Sequence, residues 1–186
     1  MAEVLIRDAT ADDVAEINRI YNHEVAVSTA SWDAEPEPLA QRQEWFAARQ
    51  RAGHAVLVAD RDGQILGYGS YGPFRAKSGY ALTMEHSVYV DAAARRLGIG
   101  AMLLGSIIDR ARGAGVHVLV GGLSSDNEVS LRLHEAFGFV VVGRLPQAGV
   151  KFGRWLDLVL VQLTLDDAPA PPPTGAAADG RGADYR

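Results

Sequence analysis

The chain has 186 residues, 48% of them hydrophobic and 22% charged, so one soluble domain with a sizeable core is expected. A net charge of −5 provides no general basic field for nucleic acid or an anionic membrane surface. The absence of cysteine excludes a disulfide, a thiolate nucleophile, a cysteine-bound acyl intermediate and a cysteine metal site, and permits a reducing, cytoplasmic setting.

Residues 1–8 are too short and too charged for a signal peptide, and no apolar run is long enough to span a bilayer. A first strand is expected at 4–6. Thr10 with Asp13 has the [ST]-x-x-[DE] form of a helix start, and Val14, Ile17, Ile20, Tyr21 and Val25 then share one helical face. Residues 28–33 form a loop with one large aromatic, Trp32. Pro36 and Pro38 precede a second helix over 39–52. Residues 55–59 read as a strand, Asp62-Gly63 as a turn, and 65–71 as the returning arm of a hairpin. A loop over 72–79 leads to a long strand, 80–90. Ile99, Leu103, Ile107 and Ala111 recur at i+4, giving a helix that closes near 113–115. A buried strand at 116–120, a short helix at 127–137 stopped by Gly138, and strands at 139–142 and 155–163 complete the order. The sequence β-α-α-β-β-β-α-β-α-β-β predicts an α/β (α+β) domain over 1–166, with a mixed sheet of about seven strands and helices on both faces. Residues 167–186 are rich in Ala, Pro and Gly; they cannot bury enough apolar surface to offset their ordering entropy, and a disordered tail is expected there.

The stretch with most chemical content lies between the strand ending at Val90 and the helix that follows. Arg95, Arg96, Gly98 and Gly100 crowd this turn, with Leu97 and Ile99 between them. A helix start offers unpaired N–H groups and a positive dipole end, and glycine lets an anion approach the backbone. Arginine adds fork-shaped donors. A phosphate, and most of all a pyrophosphate, is the expected ligand. A GxxxxGK[ST] loop is excluded because no lysine follows Gly100. A dinucleotide GxGxxG lacks its third glycine, and the strand at 116–120 ends in Gly121-Gly122 rather than an acid.

The pattern R-x-x-G-x-G over 95–100 resembles the CoA pyrophosphate loop of the GNAT superfamily of acyl-CoA N-acyltransferases, and the element order resembles the GNAT fold over nearly the whole ordered chain. Three further blocks narrow the likeness to the phosphinothricin and methionine sulfoximine or sulfone N-acetyltransferases. They are 83–90 (TMEHSVYV), the N-x-x-S-x-x-x-H-x-x-x-G-[FY] pattern from Asn127 to Phe139, and the K-x-G-x-W-x-D block from Lys151 to Asp157.

The resemblance implies roles. Acetyl-CoA is the expected co-substrate. Val88, Tyr89 and Val90 would run beside its pantetheine arm, 95–100 would hold its phosphates, and Asn127 and Ser130 would add polar contacts. Asn127 also serves as a helix N-cap on its own account. Glu85 would assist deprotonation of an amine, because an α-amino group titrates at about 8 and a neutral nitrogen is needed. His134, one helical turn beyond Ser130, would serve the leaving thiolate as acid or orienting donor. His86 and His117 read as sheet residues, and no His/Asp/Glu set has metal spacing. Trp32, Arg75, Lys77 and Tyr80 are the expected contacts to a small, acidic, amino-acid-like amine. One departure bears on this: relatives that take methionine derivatives often carry arginine and an aromatic where this chain has Ala81 and Leu82. If that arginine binds the carboxylate, Arg75 or Lys77 must replace it, or the amine is of another kind. A protein N-terminus, a polyamine, or a non-catalytic acyl-CoA-binding role remain as alternatives. A homodimer is expected on resemblance.

Overall fold

The computed structural model describes residues 3–166; the expected tail over 167–186 lies outside the described residues. Seven strands form one sheet: β1 (Leu5–Asp8), β2 (Val56–Arg61), β3 (Gln64–Pro73), β4 (Thr83–Val90), β5 (Val118–Ser124), β6 (Val140–Lys151) and β7 (Arg154–Thr164). Their spatial order is β1-β2-β3-β4-β5-β7-β6. All neighbours are antiparallel except β4 and β5. Four α-helices, α1 (Val14–Val27), α2 (Leu39–Arg51), α3 (Ile99–Gly113) and α4 (Glu128–Ala136), cover the two faces.

Strand periodicity produces the two cores. Val56, Val58, Ile65 and Tyr68 face α1 and α2, packing on Val14, Ile17, Ile20 and Phe46. Their neighbours Leu57, Ala59 and Leu66 face the other way, onto Ile99, Leu103, Leu104 and Ile107 of α3. The start signal at Thr10 is used: its N–H donates to Asp13 Oδ2 at 2.7 Å, opening a 3₁₀ turn (Ala11–Asp13) that runs into α1. Arg7 on β1 clamps the same carboxylate with two hydrogen bonds and holds the Asp13 pKa down to about 2.

Three boundaries differ from expectation. Tyr80 lies in a 3₁₀ turn (Ser78–Tyr80), and β4 starts only at Thr83. β5 starts two residues later than read and continues through Gly121-Gly122 to Ser124. β6 runs for 12 residues, where the sequence promised a short strand and a loop.

β4 and β5 part company halfway. They pair only at Thr83–Val118, Met84–Leu119 and Glu85–Val120. Beyond Glu85, β4 stays with β3 as far as Val90, while β5 follows β7 as far as Ser124. A wedge-shaped gap therefore opens in the middle of the sheet, with Glu85 at its apex.

Candidate active site

Main-chain groups alternate sides along a strand. The Asp91 N–H donates to Leu66 O of β3 at 2.9 Å, and Thr83 O accepts from Phe74 N at 3.3 Å, so odd-numbered residues of β4 face β3. Val88 and Val90 therefore turn their N–H and C=O groups toward the gap, as an added strand would require. Their side chains pack against the α3 core. Tyr89 has its main chain toward β3 and its ring stacked on Tyr68 at 5.3 Å and edge-on to Tyr21 at 5.5 Å.

The open end of the gap meets the start of α3. Gly98 is the N-cap, at φ +79°. Arg96 also has positive φ, +65°. Ala101 and Met102 N–H already bond Gly98 O, whereas Ile99 and Gly100 lie in the first turn, where no earlier carbonyl is in reach. A Cβ on Gly100 would make only ordinary contacts with Leu133 and Val90 at 3.4 and 3.7 Å, so packing alone does not demand glycine there. Arg96 is exposed. Arg95 is partly committed: its guanidinium is ion-paired to buried Glu24 of α1, which ties the loop to the fold. The donor types of this turn are those a diphosphate would use, with Arg96 exposed and Arg95 held by Glu24. Substituting Gly98→Val is expected to cost about 1–2 kcal/mol of stability through the left-handed backbone. It should also raise the KM for acetyl-CoA; thermal unfolding and initial rates would check both.

Asn127 caps α4, its Oδ1 accepting from Ser130 N at 3.1 Å. One turn on, His134 is buried with both ring nitrogens engaged. Its Nδ1 lies 2.7 Å from Ser130 O, and its Nε2 lies 2.9 Å from His86 Nε2. His86 in turn sets Nδ1 at 2.8 Å from Val120 O. Carbonyls only accept, so each Nδ1 contact needs a proton, and the contact between the two Nε2 atoms needs a third. Two neutral rings hold two. Burial pushes both pKa values down, that of His86 to about 3. The pair is thus one proton short of filling its own bonds, a property suited to taking up and releasing a proton. His86, read from sequence as a sheet residue, is the partner that reading missed; the signal was Gly121, where a Cβ would stand 2.9 Å from the His86 ring.

On the α1–α2 face, above the apex of the gap, lies a cleft of about 410 Å³ lined by Tyr21, Arg42, Arg49, Tyr68, Glu85 and Gly122 among others. Glu85 leans over Gly122, whose Cβ would lie 3.4 Å from Oε1. Burial raises the Glu85 pKa, and Arg75 and Arg49 oppose the rise. A carboxylate of raised basicity beside the opening between two strands can accept a proton from an amine. The cleft's remaining charges are mostly spoken for: Arg42 pairs with Glu37, and Asp33 accepts from Tyr21. The four substrate contacts expected from sequence do not line this cleft. Trp32 packs on β6, where a Cβ at Gly149 would stand 2.3 Å from its ring. Arg75 lies 4.2 Å above the Phe74 ring and donates to Phe74 O. Lys77 and Tyr80 are exposed, Tyr80 edge-on to Phe74. The late block serves the fold. Its Lys151 is buried and donates to the carbonyls of Ser28 and Ser31, fixing the loop after α1.

Comparison with known proteins agrees with this geometry. The Acetyltransferase (GNAT) family profile matches residues 17–139. An L-methionine sulfoximine/L-methionine sulfone acetyltransferase of Pseudomonas paraeruginosa is 48% identical over 168 residues, covering 90% of this chain and 98% of that one. An L-amino acid N-acyltransferase of Escherichia coli is 45% identical, covering 91% and 99%. Among solved structures, yncA of Salmonella typhimurium with its cofactor acetyl-CoA superposes with a TM-score of 0.90 at 45% identity, over 92% of this chain and 99% of that one. The split sheet, the glycine turn at the head of α3 and these likenesses converge: the chain belongs to the GNAT family of acetyltransferases.

Proposed function

We propose that this enzyme acetylates the α-amino group of small amino acids, with methionine sulfone, methionine sulfoximine, phosphinothricin and unmodified L-amino acids as the candidate acceptors. The names of its relatives support that list. The observation that carries the reading is Glu85: a carboxyl of raised pKa at the apex of the β4–β5 gap, with no hydrogen bond or ion pair of its own among the described residues and a cleft in front of it. Acetyl-CoA, held by Val88, Val90, Asn127 and the 96–100 turn, supplies the acetyl thioester. Glu85, directly or through a water, takes a proton from the ammonium group. The free amine attacks the thioester carbonyl in a ternary complex, so the gain comes from proximity and orientation. As the amide forms, the nitrogen sheds its second proton; the His134–His86 pair takes one up at its Nε2 contact and passes it to the departing sulfur, giving N-acetyl product and CoA thiol while the proton on Glu85 returns to solvent. An acceptor screen with acetyl-CoA, read by thiol release, tests the reading. Turnover with amino acids is expected; turnover only with polyamines or peptide N-termini, or binding without thiol release, would overturn it.

A cytoplasmic setting, where acetyl-CoA is available, and a homodimer belong to the same proposal. The dimer is supported by β6, an edge strand whose Val140, Val142 and Val150 are exposed beside Phe152 and Trp155, the last 63% exposed. Such an unpaired apolar edge invites another chain. Trp155→Asp is expected to shift the light-scattering mass of the purified protein from dimer toward monomer.

A further inference from the structure

We infer that Arg49 of α2 is the anchor for the acceptor's carboxylate, seated where Gly72 leaves out a side chain. This deepens the proposed amino-acid acetylation and rests on it. Gly72 is the register partner of Glu85 on β3. A Cβ built on Gly72 would stand 2.0 Å from Arg49 Nη1, and the three nearest atoms to it all belong to the Arg49 guanidinium. The guanidinium therefore occupies the place of a side chain directly opposite Glu85, on the same face of the sheet. Opposed Cβ positions in an antiparallel pair are about 5 Å apart.

The charge inventory of the cleft points the same way. Glu37 and Arg42 neutralise each other, and Asp33 is engaged by Tyr21. Two charged groups in the cleft are left without a hydrogen bond or ion pair among the described residues, Glu85 and Arg49, and Arg49 Nε is buried with no partner. Burial works against the Arg49 cation, with Glu85 as its nearest electrostatic support. A zwitterion supplies both missing partners: its amino group to Glu85 and its carboxylate, carried on the same carbon, to the fork of Arg49. Arg75 and Lys77 do not line the cleft.

The test uses Arg49→Met and Gly72→Ala in the full chain, with methionine sulfone and its carboxamide as paired acceptors. Gly72→Ala displaces only the flexible end of Arg49, so it perturbs the seat without removing the charge. Measured at a pH above the acid limb set by Glu85, so that loss of the Arg49 charge does not act through Glu85, both variants are expected to raise KM for the acid roughly 30-fold with kcat nearly kept. KM for the carboxamide and for acetyl-CoA should be unchanged, and Arg49→Lys should recover part of the loss. Equal losses for acid and carboxamide, or none for either, would overturn the assignment while leaving amino-acid acetylation standing. A wild-type enzyme that acetylates polyamines and no amino acid would overturn both.

Discussion

Glu85→Gln is expected to lower kcat by about 100-fold or more at neutral pH, with the affinity for CoA unchanged. Glutamine has the same shape and can rest over Gly122 as Glu85 does, so the cleft and the gap should be preserved. What it lacks is a proton-accepting oxygen of raised basicity. Because burial lifts the Glu85 pKa, the carboxyl binds a proton more readily than an exposed glutamate, while Arg75 and Arg49 nearby oppose the rise. The wild-type kcat should therefore fall as pH drops through the raised Glu85 pKa, and that acid limb should be missing in the variant. The measurement is a pair of pH–rate profiles at saturating acetyl-CoA, with calorimetric titration of CoA as the control. An unchanged kcat, or an acid limb that survives the substitution, would remove Glu85 from the chemistry.

The turn between β4 and α3 was legible in the sequence, and the cleft in front of Glu85 was not, for a physical reason. Residues 83–104 form a strand, a turn and a helix in succession, so glycine spacing, apolar periodicity and charge all act locally and can be read along the chain. The cleft is assembled from α1, α2, β3 and β4 among others, and no local pattern reports that Arg49 of α2 rests on Gly72 of β3. The trace it leaves is indirect: three glycines, Gly67, Gly69 and Gly72, in a strand buried on both faces. Glycine inside a strand marks a close approach. At Gly67 a Cβ would stand 2.7 Å from Tyr89 O, and at Gly72 it would meet the guanidinium. β6 was under-read because Gly143, Pro146 and Gly149 look like loop residues. An edge strand with register shifts at 141/143 and 145/149 accommodates all three. Trp32, read as a candidate pocket wall, packs on Gly149 of that same strand.

Separating His86 from His134 is the second perturbation expected to have a large effect, and it acts on stability and turnover in different ways. Asparagine can place an amide near the original Nδ1, so His134→Asn keeps a donor toward Ser130 O while removing Nε2. His86 Nε2 is then buried without a partner, at a cost of about 1–3 kcal/mol. His86→Asn is the reciprocal case, keeping a donor toward Val120 O. Each single variant leaves an orphan and the double variant leaves none, so the double should be less destabilised than the sum of the singles. The pH dependence has a definite sign. Unfolded histidine titrates at about 6.5, and in the fold burial holds His86 down to about 3. Between these values the unfolded chain binds more protons, so stability is fully present above pH 6.5 and is lost as pH falls through that window. The double variant should lose most of this slope. For turnover, His134→Asn should lower kcat by about 10- to 100-fold if the pair protonates the leaving sulfur. His86→Asn should likewise lower kcat, since it removes the Nε2 with which His134 Nε2 shares a proton. A merely structural pair would show the stability coupling and leave kcat and its pH profile untouched, so urea melts and rate profiles on the same three proteins divide the two roles.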